Sequence, residues 1–259
     1  MFHAQQPVAF FDSGLGGISV LRAAVKALPH ENFIYYGDSA NAPYGTKPPE
    51  EILRLSRAVM EKVLDMGAKA VVIACNTATG MAVDQLRQDY PDLTIIGVEP
   101  AVKPAAEAYP GGRILVLATP MCLQGQRYRE LQNRFCHDAE IHPVPCGGLM
   151  EFVERGELRG ENLRAYLEEK LQPYLGQCVD AAVLGCTHYP FLRGAIAEVL
   201  GPDTAIIDGN AGITAQLRRR LEEQGLLNPS RASGTVTFYN SLEEEDILLR
   251  GKALLALPE

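Results

Sequence analysis

The sequence predicts an α/β protein of two pseudosymmetric domains with mainly parallel sheets and an active site in the cleft between them. Three observations carry this. Short apolar runs alternate with longer stretches of helical periodicity. One strand-plus-cysteine segment recurs within the chain. The length of 259 residues exceeds the roughly 250 at which single cores stop growing, which favours two domains of about half the chain each.

In order along the chain, the expected strands are VAFF (8–11), NFIYY (32–36), AVVIA (70–74), TIIGV (94–98), RILVLA (113–118), EIHPV (140–144), AAVLG (181–185) and TAIID (204–208). Runs apolar throughout their length are what a parallel sheet covered on both faces requires. Between them, residues 49–66 place Ile52, Leu55, Val59, Val63 and Met66 on one helical face, with Gly67 as the residue that ends the helix. Further helices are expected near 15–28, 78–89, 121–135, 161–175, 190–200 and 211–224.

The internal repeat is the most informative feature. AVVIACNTATG (70–80) and AAVLGCTHYPF (181–191) share an apolar strand, a small residue, a cysteine and a polar pair. VAFFDS (8–13) and ILVLAT (114–119) both end an apolar strand in a hydroxyl residue. The two offsets agree at roughly 110 residues, as two halves of one topology would give. Ligands of such sheets bind beyond the carboxyl ends of the strands, so Cys75 and Cys186 are expected on opposite walls of one cleft.

Composition narrows the class. Lys and Arg number 24 against 32 Asp and Glu, a net charge of −8, which leaves no electrostatic footprint for nucleic acid. The cluster Arg218-Arg219-Arg220 is followed by Glu222-Glu223 and reads as a solvated helix face. No apolar run approaches a membrane span, and MFHAQQP has neither the charged region nor the apolar core of a signal peptide. The expectation is a cytoplasmic chain whose six cysteines, without a C-x-x-C pair, are reduced thiols.

Free cysteine often behaves as a small hydrophobe, so LGCTHYPF is ambiguous alone; the repeat gives it a chemical reading. Two thiols flanking a carbon suit stereochemical inversion, one removing a proton while the other delivers a proton to the opposite face. A free thiol titrates near 8.5, close enough to working pH for one to be ionised and the other protonated. Each thiol follows a strand and precedes a helix, whose positive end favours an anion. Asp12 and His188 are placed to position the thiols or move protons.

DSGLGG (12–17) follows a strand and opens a helix, but Ser19 stands where a dinucleotide fingerprint needs glycine, and no Walker motif exists. What remains is a glycine-rich turn, beginning at Asp12 and Ser13, whose N–H groups suit a carboxylate. GDSANAPYGTK (37–47), centred on Pro43-Tyr44-Gly45, is a long polar connection of the kind that binds ligands. Asn76-Thr77 and Thr187-His188 supply further donors. Cys136, His137, His142 and Cys146 match no familiar zinc spacing, and a strand over 139–144 would divide them between two faces; no metal or cofactor is expected. His3 and His30 read as solvated.

FFDSGLGGISVL, GDSANAPYGTK, VVIACNTATG, GVEPAVKPA and LGCTHYPFL, in that order, resemble the motifs of the bacterial glutamate racemases, within the aspartate/glutamate racemase superfamily; IIDGNAGITAQL (206–217) continues the likeness. The resemblance implies cofactor-independent interconversion of L- and D-glutamate, supplying D-glutamate for peptidoglycan. Cys75 would act on D-glutamate and Cys186 on L-glutamate, each alternately base and acid. Asp12, Ser13, Tyr44, Gly45, Asn76, Thr77, Thr187 and His188 would bind substrate, with Asp12 and His188 assisting their neighbouring thiols. It also implies a homodimer and a first domain of residues 1–98 plus the returning segment 209–259, the second being 99–208. The chain departs from the pattern at Cys122 and Gly125, where the family often has Thr and Ser, and at Cys146-Gly147, where many members have Cys-Pro. A superfamily isomerase of another substrate, such as aspartate or a hydantoin, and a non-catalytic glutamate-binding protein are the competing readings; a one-thiol decarboxylase would leave the second cysteine without a role.

Overall fold

The computed structural model describes residues 2–258. The chain forms two compact units, residues 1–98 with 210–259, and residues 99–209. The first contains β1 (Val8–Asp12), α1 (Ile18–Ala27), β2 (Phe33–Gly37), α2 (Pro49–Asp65), β3 (Ala70–Ile73), α3 (Asn76–Asp89) and β4 (Thr94–Gly97). The second contains α4 (Val102–Ala108), β5 (Arg113–Ala118), α5 (Pro120–Gln124), α6 (Gln126–Phe135), β6 (Glu140–Pro145), α7 (Leu149–Glu154), α8 (Glu161–Leu171), β7 (Ala181–Leu184), α9 (Arg193–Leu200) and β8 (Ala205–Ile207). The chain then returns to the first unit as α10 (Asn210–Glu223), β9 (Val236–Asn240) and α11 (Glu245–Ala256).

Both sheets are parallel throughout. The first has the order β4-β3-β1-β2-β9 and the second β6-β5-β7-β8. Reading the second in reverse matches β5, β6, β7 and β8 to β1, β2, β3 and β4, so the repeat in sequence is a repeat in topology. The central strands β1, β3 and β7 are buried at every residue, as parallel strands covered on both faces must be. The edge strand β9 alternates between exposed and half-buried residues.

The register carries the equivalence to individual residues. Phe11 of β1 pairs with Ile73 of β3, and Leu117 of β5 with Leu184 of β7. One further rung closes each pair, Ala74 N to Phe11 O and Gly185 N to Leu117 O, both 2.7 Å. On the other side, Asp38 N donates to Asp12 O and Cys146 N to Ala118 O, both 2.9 Å. Cys75 and Cys186 are therefore the first residues past equivalent last rungs.

Several expected helix bounds shift for local reasons. The segment 121–135 is two helices, because Gly125 is extended at ψ 149°. The helix expected at 190–200 begins as a 3₁₀ turn over Tyr189–Leu192. The helix at 161–175 stops at Leu171, where Pro173 and a 3₁₀ turn over Gln172–Tyr174 follow. Gly67 ends α2 with φ +85°, the left-handed conformation a glycine adopts without cost. Sequence reasoning missed α4, α7, β9 and α11; the alternation in Val-Thr-Phe-Tyr of β9 was a usable signal.

A buried ion pair ties the returning segment to the first unit. The Lys69 ammonium, fully buried, donates to Glu31 Oε2 (2.5 Å), to the Leu226 carbonyl (2.8 Å) and to the Ala4 carbonyl. Glu31 Oε1 accepts from Asn228 N at 2.6 Å. Four stretches distant in sequence thus meet at one charge pair, with all three ammonium protons placed. Lys69→Met leaves the Glu31 carboxylate buried without its cation, and we expect a loss of about 3–5 kcal/mol in denaturant unfolding; a loss below about 1 kcal/mol would show the pair to be dispensable.

Candidate active site

In the first unit the site residues gather where β1 and β3 end. Asp12 is fully buried, and its Oδ1 accepts from Gly14 N at 2.7 Å, closing the glycine turn. Gly17 has to be glycine: a Cβ there would lie 2.8 Å from the Asp12 Cβ and 2.9 Å from that of Ala74. The turn is pinned from below by Tyr35, whose hydroxyl donates to the Gly14 carbonyl at 2.8 Å.

Cys75 is extended (φ −131°, ψ 117°) and is the N-cap of α3, which starts at Asn76 and not at residue 78 as the periodicity suggested. Its sulfur accepts from Ala78 N at 3.4 Å and lies 3.5 Å from the Ser13 hydroxyl. A helix N-terminus aims unpaired N–H groups and a positive partial charge at its cap, so this sulfur sits where its anion is favoured. Asn76 Oδ1 is buried with no hydrogen-bond partner among the described residues. An orphaned acceptor in a desolvated place is costly unless a donor arrives; an ammonium group is one. Thr77 is buried beside it.

The loop after β2 contributes Tyr44, also buried, packed edge-on to Phe11. Its hydroxyl donates to Asp38 Oδ2 at 2.7 Å, and Asn41 Nδ2 donates to both Asp38 oxygens at 3.1 Å. Burial first, then the Asp38 charge, drives the Tyr44 phenol far above its ordinary range, with Cys75 and Asp12 adding to the push. Tyr44 is therefore a neutral donor already committed to Asp38. Gly45 lies in the 3₁₀ turn Tyr44–Thr46, in open space.

In the second unit, Gly185 permits the turn into the site: a Cβ would stand 3.0 Å from both the Ala118 Cβ and the Leu117 carbonyl oxygen. Cys186, Thr187 and His188 follow, all buried. Cys186 Sγ is 3.7 Å from His188 Nδ1, and His188 Nε2 is 2.7 Å from Glu154 Oε1 of α7. Burial alone would push the imidazole down, but the hydrogen bonds to Cys186 and Glu154 overcome it and hold His188 well above 6.5. The ring therefore bridges the Cys186 thiol and the Glu154 carboxylate, and both contacts favour its cationic form. Cys146 contrasts with it. Burial pushes this thiol up to about 12, the Cys186 charge adds to the shift, and only Lys170 opposes it. Cys146 stays protonated.

Ser13 thus stands against the Cys75 sulfur, Asn76 and Thr77 follow that cysteine at the start of α3, Tyr44 lies within electrostatic reach of Cys75 and Asp12, and His188, two residues past Cys186, faces its sulfur. Two further residues were missed from sequence. Glu154 lies far along the chain from His188 with no motif joining them, and Asp38 lay within the quoted polar loop without being singled out.

Parallel α/β units with buried polar side chains gathered at the carboxyl ends of their central strands define an α/β protein whose ligands bind beyond the strand ends. The chain belongs to the Asp/Glu/Hydantoin racemase family, whose model matches residues 15–217, and is an isomerase of the amino-acid racemase class. It is 47% identical over 251 residues to a glutamate racemase of Clostridium perfringens, covering 97% of this chain and 96% of that one. Among solved structures it is similar to Francisella tularensis glutamate racemase in complex with D-glutamate (TM-score 0.84, 27% identity, 98% of this chain and 95% of that chain). It is equally similar to Escherichia coli glutamate racemase in complex with L-glutamate and the activator UDP-MurNAc-Ala (TM-score 0.84, 29% identity, 96% and 95%).

The raised His188 value carries a stability prediction. Its folded value lies above the unfolded one, so the contribution is complete below about pH 6.5 and is lost as pH rises through the folded value. Glu154→Gln should therefore cost about 2 kcal/mol near pH 6, and its difference from wild type should shrink on raising the pH. A difference that stays flat in denaturant titrations at several pH values would contradict a charged His188.

Proposed function

We propose that the protein interconverts L- and D-glutamate without a cofactor, by a two-thiol acid and base mechanism, and supplies D-glutamate for peptidoglycan. The observation that carries the reading is the equivalence of Cys75 and Cys186 just past the last rungs of two repeated sheets, one sulfur accepting from Ala78 N and the other facing His188 Nδ1. In the L to D direction, the Cys186 thiolate takes the α-proton and the Cys75 thiol gives its own proton to the opposite face. The reverse direction exchanges their roles, so the net proton count is unchanged.

The α-proton of an amino acid is far less acidic than a thiol. Most of the barrier must therefore fall through preorganised donors and excluded water. Asp12, Ser13, Tyr44 and Gly45 with Asn76 and Thr77 form the substrate-binding set on the Cys75 side, and Thr187 with His188 that on the Cys186 side. Asn76 Oδ1 supplies an acceptor for the substrate ammonium. The protein acts in the cytoplasm as a homodimer.

Incubating L-glutamate in D₂O without pyridoxal phosphate should yield D-glutamate deuterated at Cα, and Cys75→Ser and Cys186→Ser should each lower kcat by at least about 100-fold. Wild-type rates in either variant would reject the two-thiol roles. Preference for aspartate or a substituted hydantoin would move the substrate assignment within the family, and calorimetric glutamate binding without α-proton exchange would reject catalysis altogether.

A further inference from the structure

Tyr189, next to His188, is fully buried, yet its hydroxyl reaches away from the site and donates to the Cys146 carbonyl at 2.6 Å. That carbonyl also accepts from Leu149 N (3.3 Å), the first residue of α7. At the other end of α7 stands Glu154, the partner of His188. Tyr189 N in turn donates to the Cys186 carbonyl at 3.0 Å. A closed circuit results: Cys186, the turn to Tyr189, the Cys146 carbonyl, α7, Glu154, His188 and back to the Cys186 sulfur.

The connection into α7 needs such support. Gly148 enters the helix with φ +94°, and neither Gly147 nor Gly148 has a side chain to fix it. The neighbouring Gly147 carbonyl is held by a second phenol, Tyr166 of α8. The six residues of α7 are too few to be a stable helix alone, so the azimuth of Glu154 depends on where this loop is tied. A carboxylate shifted by even part of an ångström weakens a 2.7 Å charge-assisted bond.

We infer that Tyr189 is a positioning residue of the Cys186 half-site: by holding the Cys146 carbonyl, its hydroxyl seats α7 so that Glu154 meets the His188 ring. The kinetic consequence rests on the proposed racemisation; the positioning itself rests on the contacts above. The titratable groups that face the Tyr189 phenol are Cys186, Cys146, Tyr166 of α8 and Cys122 of α5; Lys170 of α8 and Cys186 act on Cys146, and Glu154 of α7 meets His188. Tyr189→Phe changes none of them and removes one hydroxyl.

The test follows alkylation of Cys186 by iodoacetamide across about pH 5 to 10 by mass spectrometry, with Cys75 in the same molecule as reference. In Tyr189→Phe, the Cys186 rate at neutral pH should fall at least about fivefold and its profile move to higher pH, because a displaced Glu154 leaves a less cationic His188. Cys75 should stay within about twofold of wild type. With glutamate, kcat should fall about tenfold while KM stays within about twofold. Glu154→Gln should reproduce the effect, and the double variant should be no worse than the stronger single one. An unchanged Cys186 profile in Tyr189→Phe, or fully additive losses in the double variant, would overturn the assignment. Should wild type fail to racemise glutamate, the functional reading falls and the alkylation profile still decides the role of Tyr189. Should Tyr189→Phe not fold, Tyr166→Phe, which frees the adjacent carbonyl, must show the same displacement in smaller measure; its absence would equally overturn the inference.

Discussion

The last hydrogen-bonded rung of each parallel sheet is the constraint on which the site depends. Ala74 N to Phe11 O and Gly185 N to Leu117 O fix where the central strands stop, and the next residue in each case is a cysteine. One residue earlier, at Ala74 and Gly185, the backbone is still tied to the neighbouring strand. One residue past the rung, the backbone is free to turn and donors from two loops converge. The glycines follow from the same constraint: at Gly17 and Gly185 an added Cβ would stand 2.8–3.0 Å from residues at or next to strand ends and would displace the residues that shape the turn.

Equivalent positions do not have equivalent surroundings. The Cys75 sulfur accepts from Ala78 N at the amide end of α3, and its thiol donates to the Ser13 hydroxyl oxygen. Cys186 lies ahead of a 3₁₀ turn, and its sulfur instead faces a buried imidazole held by a carboxylate. The repeat therefore preserves topology and the sulfur while the electrostatics of each half are separately built. Asp38 and Cys146 illustrate the divergence: both donate their N–H to the residue at the end of the first strand of their half, yet one is a charged anchor for Tyr44 and the other an inert buried thiol.

The returning segment is held by two kinds of interaction. β9 adds to the edge of the first sheet through its ladder with β2, and the Lys69–Glu31 pair fixes the connection that leads to it through Leu226 and Asn228. A desolvated ammonium is unfavourable unless each of its protons is placed. The Lys69 value is indeed drawn down by burial and only partly restored by Glu31, so the pair specifies which segments meet more than it adds stability.

The sequence by itself determined the fold class, the repeat and the two thiols, because those features are written in contiguous stretches. Apolar runs of strand length admit only a covered parallel sheet, and a strand followed by cysteine and a polar pair is local enough to be seen twice. It also marked the connections after β1 and β2, since glycine-rich and long polar stretches at strand ends are local signals too. Helix starts were blurred by a residue or two because caps such as Cys75 are decided by a single hydrogen bond. Tertiary structure alone decided that Glu154 meets His188, that Tyr189 ties the loop before α7, and that Lys69 binds Glu31, Ala4 and Leu226. Each joins residues tens of positions apart through one distance, and no periodicity or motif encodes a distance between segments that only packing brings together.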